Sequence, residues 1–190
     1  LCTTAFYVLG VSRKRGDMKK FNRLGSAAIR HELVNSSLLQ AVEALAREVH
    51  AGQLYGGVDY VDAHLVPVAS IVAAMGYGEF YQAAALLHDG PEDNKSLTPG
   101  YLFERGVPME VVEAAFILDK SQYVSHSQYR FEVGNNSLAT VAKTGDSLFN
   151  LNNILMGKHT FGQEKAFLKV GEYCENLAYL LPRLPERSFI

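Results

Sequence analysis

The stretch EFYQAAALLHDGPED, residues 79–93, decides how this chain folds. Its first part is very apolar, and a helix is predicted over 79–89. The run ends in His88 and Asp89. A carboxylate directly after so apolar a segment is costly to bury unless a partner or a cation compensates it. Gly90-Pro91 follow. Proline removes a backbone donor and clashes with the carbonyl four residues back, so the helix is interrupted or bent there. Glu92 and Asp93 then stand one helical turn beyond His88 and Asp89 in sequence distance.

Working outward, the flanking segments read as further helices. Residues 36–51 (SSLLQAVEALAREVHA) carry Leu38, Leu39, Val42, Leu45, Ala46 and Val49, an apolar stripe of period near 3.6. Ser36 or Ser37 is the candidate N-cap. Residues 52–62 (GQLYGGVDYVD) read as a loop because of Gly52, Gly56 and Gly57. Residues 63–75 (AHLVPVASIVAAM) read as a second helix, with Pro67 placed where a first turn tolerates it. Thr98-Pro99 opens a short helix that Gly106 stops, and Pro108 opens another through about Leu118. Residues 121–136 are polar and leave helix and loop both open. Residues 137–156 (SLATVAKTGDSLFNLNNILM) form a long helix, and 163–180 the last one. No period-2 alternation and no turn pair such as Asn-Gly marks a strand set. The expected fold class is therefore all-α, a helical bundle.

The 190 residues, 48% of them hydrophobic, suffice for one domain with a real core. Residues 1–17 are read as an N-terminal extension outside the core, and 18–190 as a single domain. In that extension Arg13, Lys14 and Arg15 follow the mildly apolar Leu1–Gly10 segment, the reverse of a signal peptide. The net charge of −2 carries no basic excess, so no nucleic acid polymer is expected as partner. A small anionic substrate remains compatible, because a metal or a local patch supplies the positive field. No run approaches the ~18 apolar residues of a membrane span, so no membrane partner is expected. Cys2 and Cys174 are isolated and make neither a disulfide framework nor a zinc motif. Free thiols point to a cytoplasmic location. Oligomeric state is not legible.

Each chemistry-bearing residue has a plain structural alternative. A His-Asp pair is common by chance, and His64, beside Leu65, Val66 and Val68, reads alone as a core histidine. Asp146, inside an otherwise apolar helix, can simply face water. Glu92 and Asp93 can be a solvated acidic loop. Taken together, His64, His88, Asp89 and Asp146 make a mixed nitrogen and oxygen set. Such a set suits a divalent first-row ion such as manganese, iron or zinc. An ion of this kind lowers the pKa of water and neutralises charge developing on phosphorus. Glu92 or Asp93 would then orient or deprotonate the attacking water.

Four blocks of sequence carry a resemblance. They are His50-Ala51-Gly52-Gln53, then Tyr60-Val61-Asp62-Ala63-His64, then Ala84-Ala85-Leu86-Leu87-His88-Asp89-Gly90-Pro91-Glu92-Asp93-Asn94. The last is Ala142-Lys143-Thr144-Gly145-Asp146-Ser147-Leu148-Phe149-Asn150. In this order the chain resembles the HD-domain hydrolases of guanosine tetraphosphate and pentaphosphate, which include the hydrolase half of RelA/SpoT-type enzymes and small alarmone hydrolases. The resemblance covers about residues 40–152. It implies an HD-type helical bundle and a metal-dependent phosphohydrolase acting on a small nucleotide. It places His64, His88, Asp89 and Asp146 on the metal ligands, with manganese foremost. Glu92 and Asp93 fall on the acidic pair that handles water. Lys143 and Asn150 fall on the helix lining the nucleotide pocket, with Ser147 one position round. Spacing agrees, since 143, 146 and 150 share one helix face, as a solvated stripe also would.

The chain departs from the family at Leu65 (usually proline), Asn94 (threonine), Gly145 (alanine) and Phe149 (histidine). The basic residues that often follow the H-x-G-Q segment are replaced by Leu54-Tyr55-Gly56-Gly57. Those residues help hold the guanine nucleotide in the family, so the departures bear on substrate more than on metal. Two other readings stay open beside the alarmone hydrolase. One is a different nucleotidase or phosphatase of the same superfamily. The other is a catalytically silent, metal-containing nucleotide-binding domain.

Overall fold

The computed structural model describes residues 36–158 and 162–186. The proposed extension at 1–17 lies outside them. The described residues form an all-α bundle. Helix α1 is Ser37–Val49, a hairpin pairs β1 (Leu54–Tyr55) with β2 (Val58–Asp59), and a π-helical turn spans Val61–Leu65. Helices α2 (Val66–Ala74), α3 (Glu79–Leu87) and the single turn α4 (Gly90–Asp93) follow. Next come α5 (Pro99–Glu104), α6 (Met109–Ile117), a 3₁₀ turn at Lys120–Gln122, and α7 (His126–Asn135). The long α8 (Ser137–Leu155) and α9 (Gln163–Leu180) complete the bundle.

Helix α3 is the axis. Ala83, Ala84, Ala85, Leu86 and Leu87 are all buried, as suits a helix apolar all round. It packs on α1, α2, α6 and α8. Its small residues let neighbours approach closely, and it ends at Leu87, ahead of Gly90-Pro91. The caps follow the sequence: the Ser36 side chain accepts from the Leu39 N–H, and Thr98 from that of Tyr101. The polar segment at 121–136 resolves into the 3₁₀ turn and α7, capped by Ser125. No helix among the described residues is long and apolar enough to cross a membrane.

Two features differ from the sequence expectation. The loop at 52–62 contains the β1–β2 hairpin. Gly56 and Gly57 both take positive φ, 59° and 85°, which a two-residue I′-type turn requires. Each strand is only two residues long, too short to show alternation. The second helix starts with the π-turn, in which the Val66 N–H reaches back to the Val61 carbonyl. Arg47 of α1 pins this region, pairing with Asp59 at 3.3 Å and with Asp62 at 2.6 Å.

Gly145 sets the spacing between α8 and α2. A Cβ there would lie 3.0 Å from Val72 Cγ2 and 3.4 Å from the Val68 carbonyl oxygen. Gly145→Ala gains about 1 kcal/mol of helix propensity, but overpacking costs about 1–3 kcal/mol. We expect a net loss near ~1 kcal/mol in thermal denaturation, relieved by adding Val72→Ala. A Gly145→Ala protein more stable than the parent would contradict this close packing.

Candidate metal centre

Three chain segments deliver the central side chains. His64 comes from the π-turn before α2, His88 and Asp89 from the break between α3 and α4, and Asp146 from the middle of α8. His64 Nε2 and His88 Nε2 lie 3.3 Å apart. Asp89 Oδ2 is 3.1 Å from each nitrogen. Asp146 Oδ1 is 3.5 Å from His64 Nε2 and 3.6 Å from His88 Nε2. One donor atom from each of His64, His88 and Asp89 lies within 4.8 Å of the others. His64, His88 and Asp146 are buried.

The chemistry of this donor set fits a divalent cation. His88 Nδ1 lies 2.8 Å from the Ala85 carbonyl. A carbonyl only accepts, so Nδ1 carries the proton, and in the neutral ring the Nε2 lone pair faces the cluster. That backbone bond fixes tautomer and orientation, as it does for metal-ligating histidines generally. The two buried imidazoles and Asp89, with Asp146 Oδ1 within 3.6 Å of both rings, supply the nitrogen and oxygen atoms that first-row ions take.

A second layer holds the carboxylates. Tyr60 donates its hydroxyl to Asp89 Oδ2 at 2.6 Å, and the His50 ring stacks on Tyr60 with centroids 5.0 Å apart. Lys143 donates to Asp146 Oδ2 at 2.8 Å, and the Asn150 amide donates to Asp146 Oδ1. The Lys143 ammonium also lies 5.9 Å from the Tyr129 ring centroid. Thus α8 presents Lys143, Asp146 and Asn150 on one face, but the flanking two turn inward onto the carboxylate. Ser147 is fully buried, and its hydroxyl has no partner among the described residues.

The acidic pair has anchors of its own. Glu92 pairs with Lys120 at 2.7 Å. Lys120 sits on the 3₁₀ turn, which Lys95 fastens through Asp119 (2.9 Å) and Ser121 (2.8 Å). Asp93 accepts from the Gln53 amide at 2.8 Å. Gln53 Oε1 in turn accepts from His50 Nδ1 at 2.7 Å, and His50 Nδ1 is 3.7 Å from Asp93.

Electrostatics follow from this packing. Burial opposes charge on His88, yet Asp89 and Asp146 overcome it and lift the imidazole to about 10. Burial likewise opposes charge on Asp89, but His88 and His64 hold it well below the ordinary carboxylate value. For Asp146 burial is outweighed by Lys143 and His88, again with a downward result. Lys143 is raised well above its usual value by Asp146, against burial. Burial, Asp89 and the hydrogen bond to it hold Tyr60 firmly in the phenol form.

The sequence alone assigns no role to Tyr60, Gln53 or Tyr129. The first two belong to recognised blocks, yet no periodicity shows which aromatic or amide reaches a carboxylate. Tyr129 lies in the polar segment, where no signal stood out.

No family model matches the chain, and no curated protein matches it. Among solved structures it is similar to one described as a metazoan ortholog of SpoT that hydrolyzes ppGpp and plays a role in starvation responses. The two are 21% identical, with a TM-score of 0.59, over 78% of this chain and 92% of that one. The chain therefore has the same helical fold.

The cluster makes metal-free stability depend on pH. His88 rises from 6.5 to about 10 on folding. Its contribution is thus fully present below about 6.5 and is lost as pH climbs toward 10. Asp89 and Asp146 are depressed below 3.8, so theirs is full above that value and lost in acid. Melting of chelator-treated protein should peak between about pH 4 and 6.5. A melting temperature that rises steadily from pH 6.5 to 9 would contradict the arrangement.

Proposed function

We propose that this chain is a metal-dependent phosphohydrolase of the HD superfamily acting on a small nucleotide. The observation that carries the reading is the meeting of His64, His88 and Asp89 in one mutually close donor set, with Asp146 against both imidazoles, from three segments far apart in sequence. In this reading these four side chains hold the ion, manganese foremost, with iron(II) or zinc as alternatives. When bound, the ion supplies Lewis acidity toward a phosphoryl oxygen and lowers the pKa of water.

The chain's own residues do the rest. Glu92 and Asp93 stand on α4, directly after the ligands; one of them takes a proton from the attacking water and the other orients it, as the water oxygen bonds to phosphorus and the P–O bond to the leaving group breaks. Lys120 and Gln53 keep the two carboxylates in fixed orientations for that task. Tyr60 holds Asp89, while Lys143 and Asn150 hold Asp146. Lys143 and Asn150 therefore act first through the ligand and only secondarily line a substrate pocket. Ser147 contributes to packing behind them. The likeness to a ppGpp-hydrolysing structure favours a guanosine 3′-diphosphate as substrate. The uncharged stretch Leu54-Tyr55-Gly56-Gly57 favours instead a nucleotide bearing less phosphate charge.

An activity screen of the manganese-loaded protein separates these readings. Pyrophosphate released from a guanosine 3′-diphosphate identifies the first, and monophosphate released from ordinary nucleotides the second. Tight nucleotide binding without turnover would replace the enzyme with a binding domain. Asp146→Ala should abolish metal binding and hydrolysis together, read by metal content and rate; unchanged metal content would remove Asp146 from the ligand set. Glu92→Gln should keep the metal and lose at least ~10²-fold in rate, the scale of a lost acid–base group. A near-normal rate would take Glu92 out of the chemistry.

A further inference from the structure

The two central histidines are held by different means. His88 is fixed by its Nδ1–H bond to the Ala85 carbonyl. His64 is as deeply buried, yet its Nδ1 meets no hydrogen-bond partner among the described residues. A ligand imidazole without that bond is free to rotate about its side-chain torsions unless something else stops it. What surrounds His64 is aromatic. The Tyr55 ring lies nearly parallel to it, at 11° with centroids 5.6 Å apart. Phe149 meets it edge-on at 60° and 5.1 Å. Tyr60 closes a third side at 5.2 Å. Offset parallel and edge-to-face contacts are the geometries that aromatic rings favour.

We propose that Tyr55 and Phe149 are positioning residues for His64, whose rings do the orienting work that a backbone hydrogen bond does for His88. Tyr55 comes from the hairpin and Phe149 from α8, so the clamp ties His64 to two elements outside its own. The Tyr55 residue directly precedes Gly56-Gly57, whose positive φ values set the turn. The hairpin is thereby a structural part of the centre and not merely a surface loop. It follows that the Tyr55 ring matters and its hydroxyl does not. This inference rests on the metal-binding reading above.

Calorimetric titration of metal-free protein with Mn²⁺ tests it in four chains: the parent, Tyr55→Phe, Tyr55→Ala and Phe149→Leu. The parent and Tyr55→Phe should bind alike. Tyr55→Ala and Phe149→Leu should bind about 10-fold more weakly, the lower end of the loss seen when support around a ligand is removed. The His64 ring-proton resonance should shift in Tyr55→Ala, through lost ring current, and stay in place in Tyr55→Phe. Parent-like Mn²⁺ affinity in both Tyr55→Ala and Phe149→Leu overturns the clamp and leaves the metal centre standing. Absence of Mn²⁺ binding by the parent overturns both. If Tyr55→Ala does not fold, Phe149→Leu decides alone.

Discussion

Two imidazole nitrogens 3.3 Å apart, with carboxylate oxygens 3.1–3.6 Å from both, call for positive charge between them. Without it, buried lone pairs and anions would repel one another in a medium that screens poorly. Protons meet the demand in the metal-free chain, which is why His88 is lifted and Asp89 and Asp146 are lowered. A divalent ion meets it with a single charge centre and competes with those protons. The rest of the fold is arranged so that this concentration of donors is held in place. Small residues on α3 bring its neighbours close, proline stops α3 where His88 and Asp89 must turn, and Gly145 lets α8 approach α2 near Asp146.

Around the cluster, polar groups point inward more than outward. Tyr60, Lys143 and Asn150 each bind a cluster carboxylate, and Lys120 and Gln53 each bind one member of the acidic pair. These contacts take up side chains that could otherwise have faced a ligand. The cluster carboxylates are thus held from several sides by Tyr60, Lys143 and Asn150. The hairpin's Leu54-Tyr55-Gly56-Gly57 is one of the stretches where the chain departs from the family it resembles, and Tyr55 within it also packs on the His64 ring.

Much of this was legible beforehand, for physical reasons. The apolar period and the Ser36 and Thr98 caps marked helices, and Gly90-Pro91 marked the break that exposes His88-Asp89. The common face of Lys143, Asp146 and Asn150 followed from helical spacing. What spacing does not carry is direction. It could not show that Lys143 and Asn150 turn toward Asp146, or that Ser147 lies fully in the core. The hairpin is not legible in the sequence because two-residue strands leave no alternation to detect. The roles of Tyr55 and Tyr60 are not legible either, because an aromatic side chain gives no sign in sequence of which ring or carboxylate it will meet.

The most direct test is anomalous diffraction at the manganese edge from crystals grown with Mn²⁺. The account predicts one strong peak bounded by His64 Nε2, His88 Nε2 and the carboxylates of Asp89 and Asp146. A cluster that stays empty at saturating Mn²⁺, or a peak held by other residues, would contradict it.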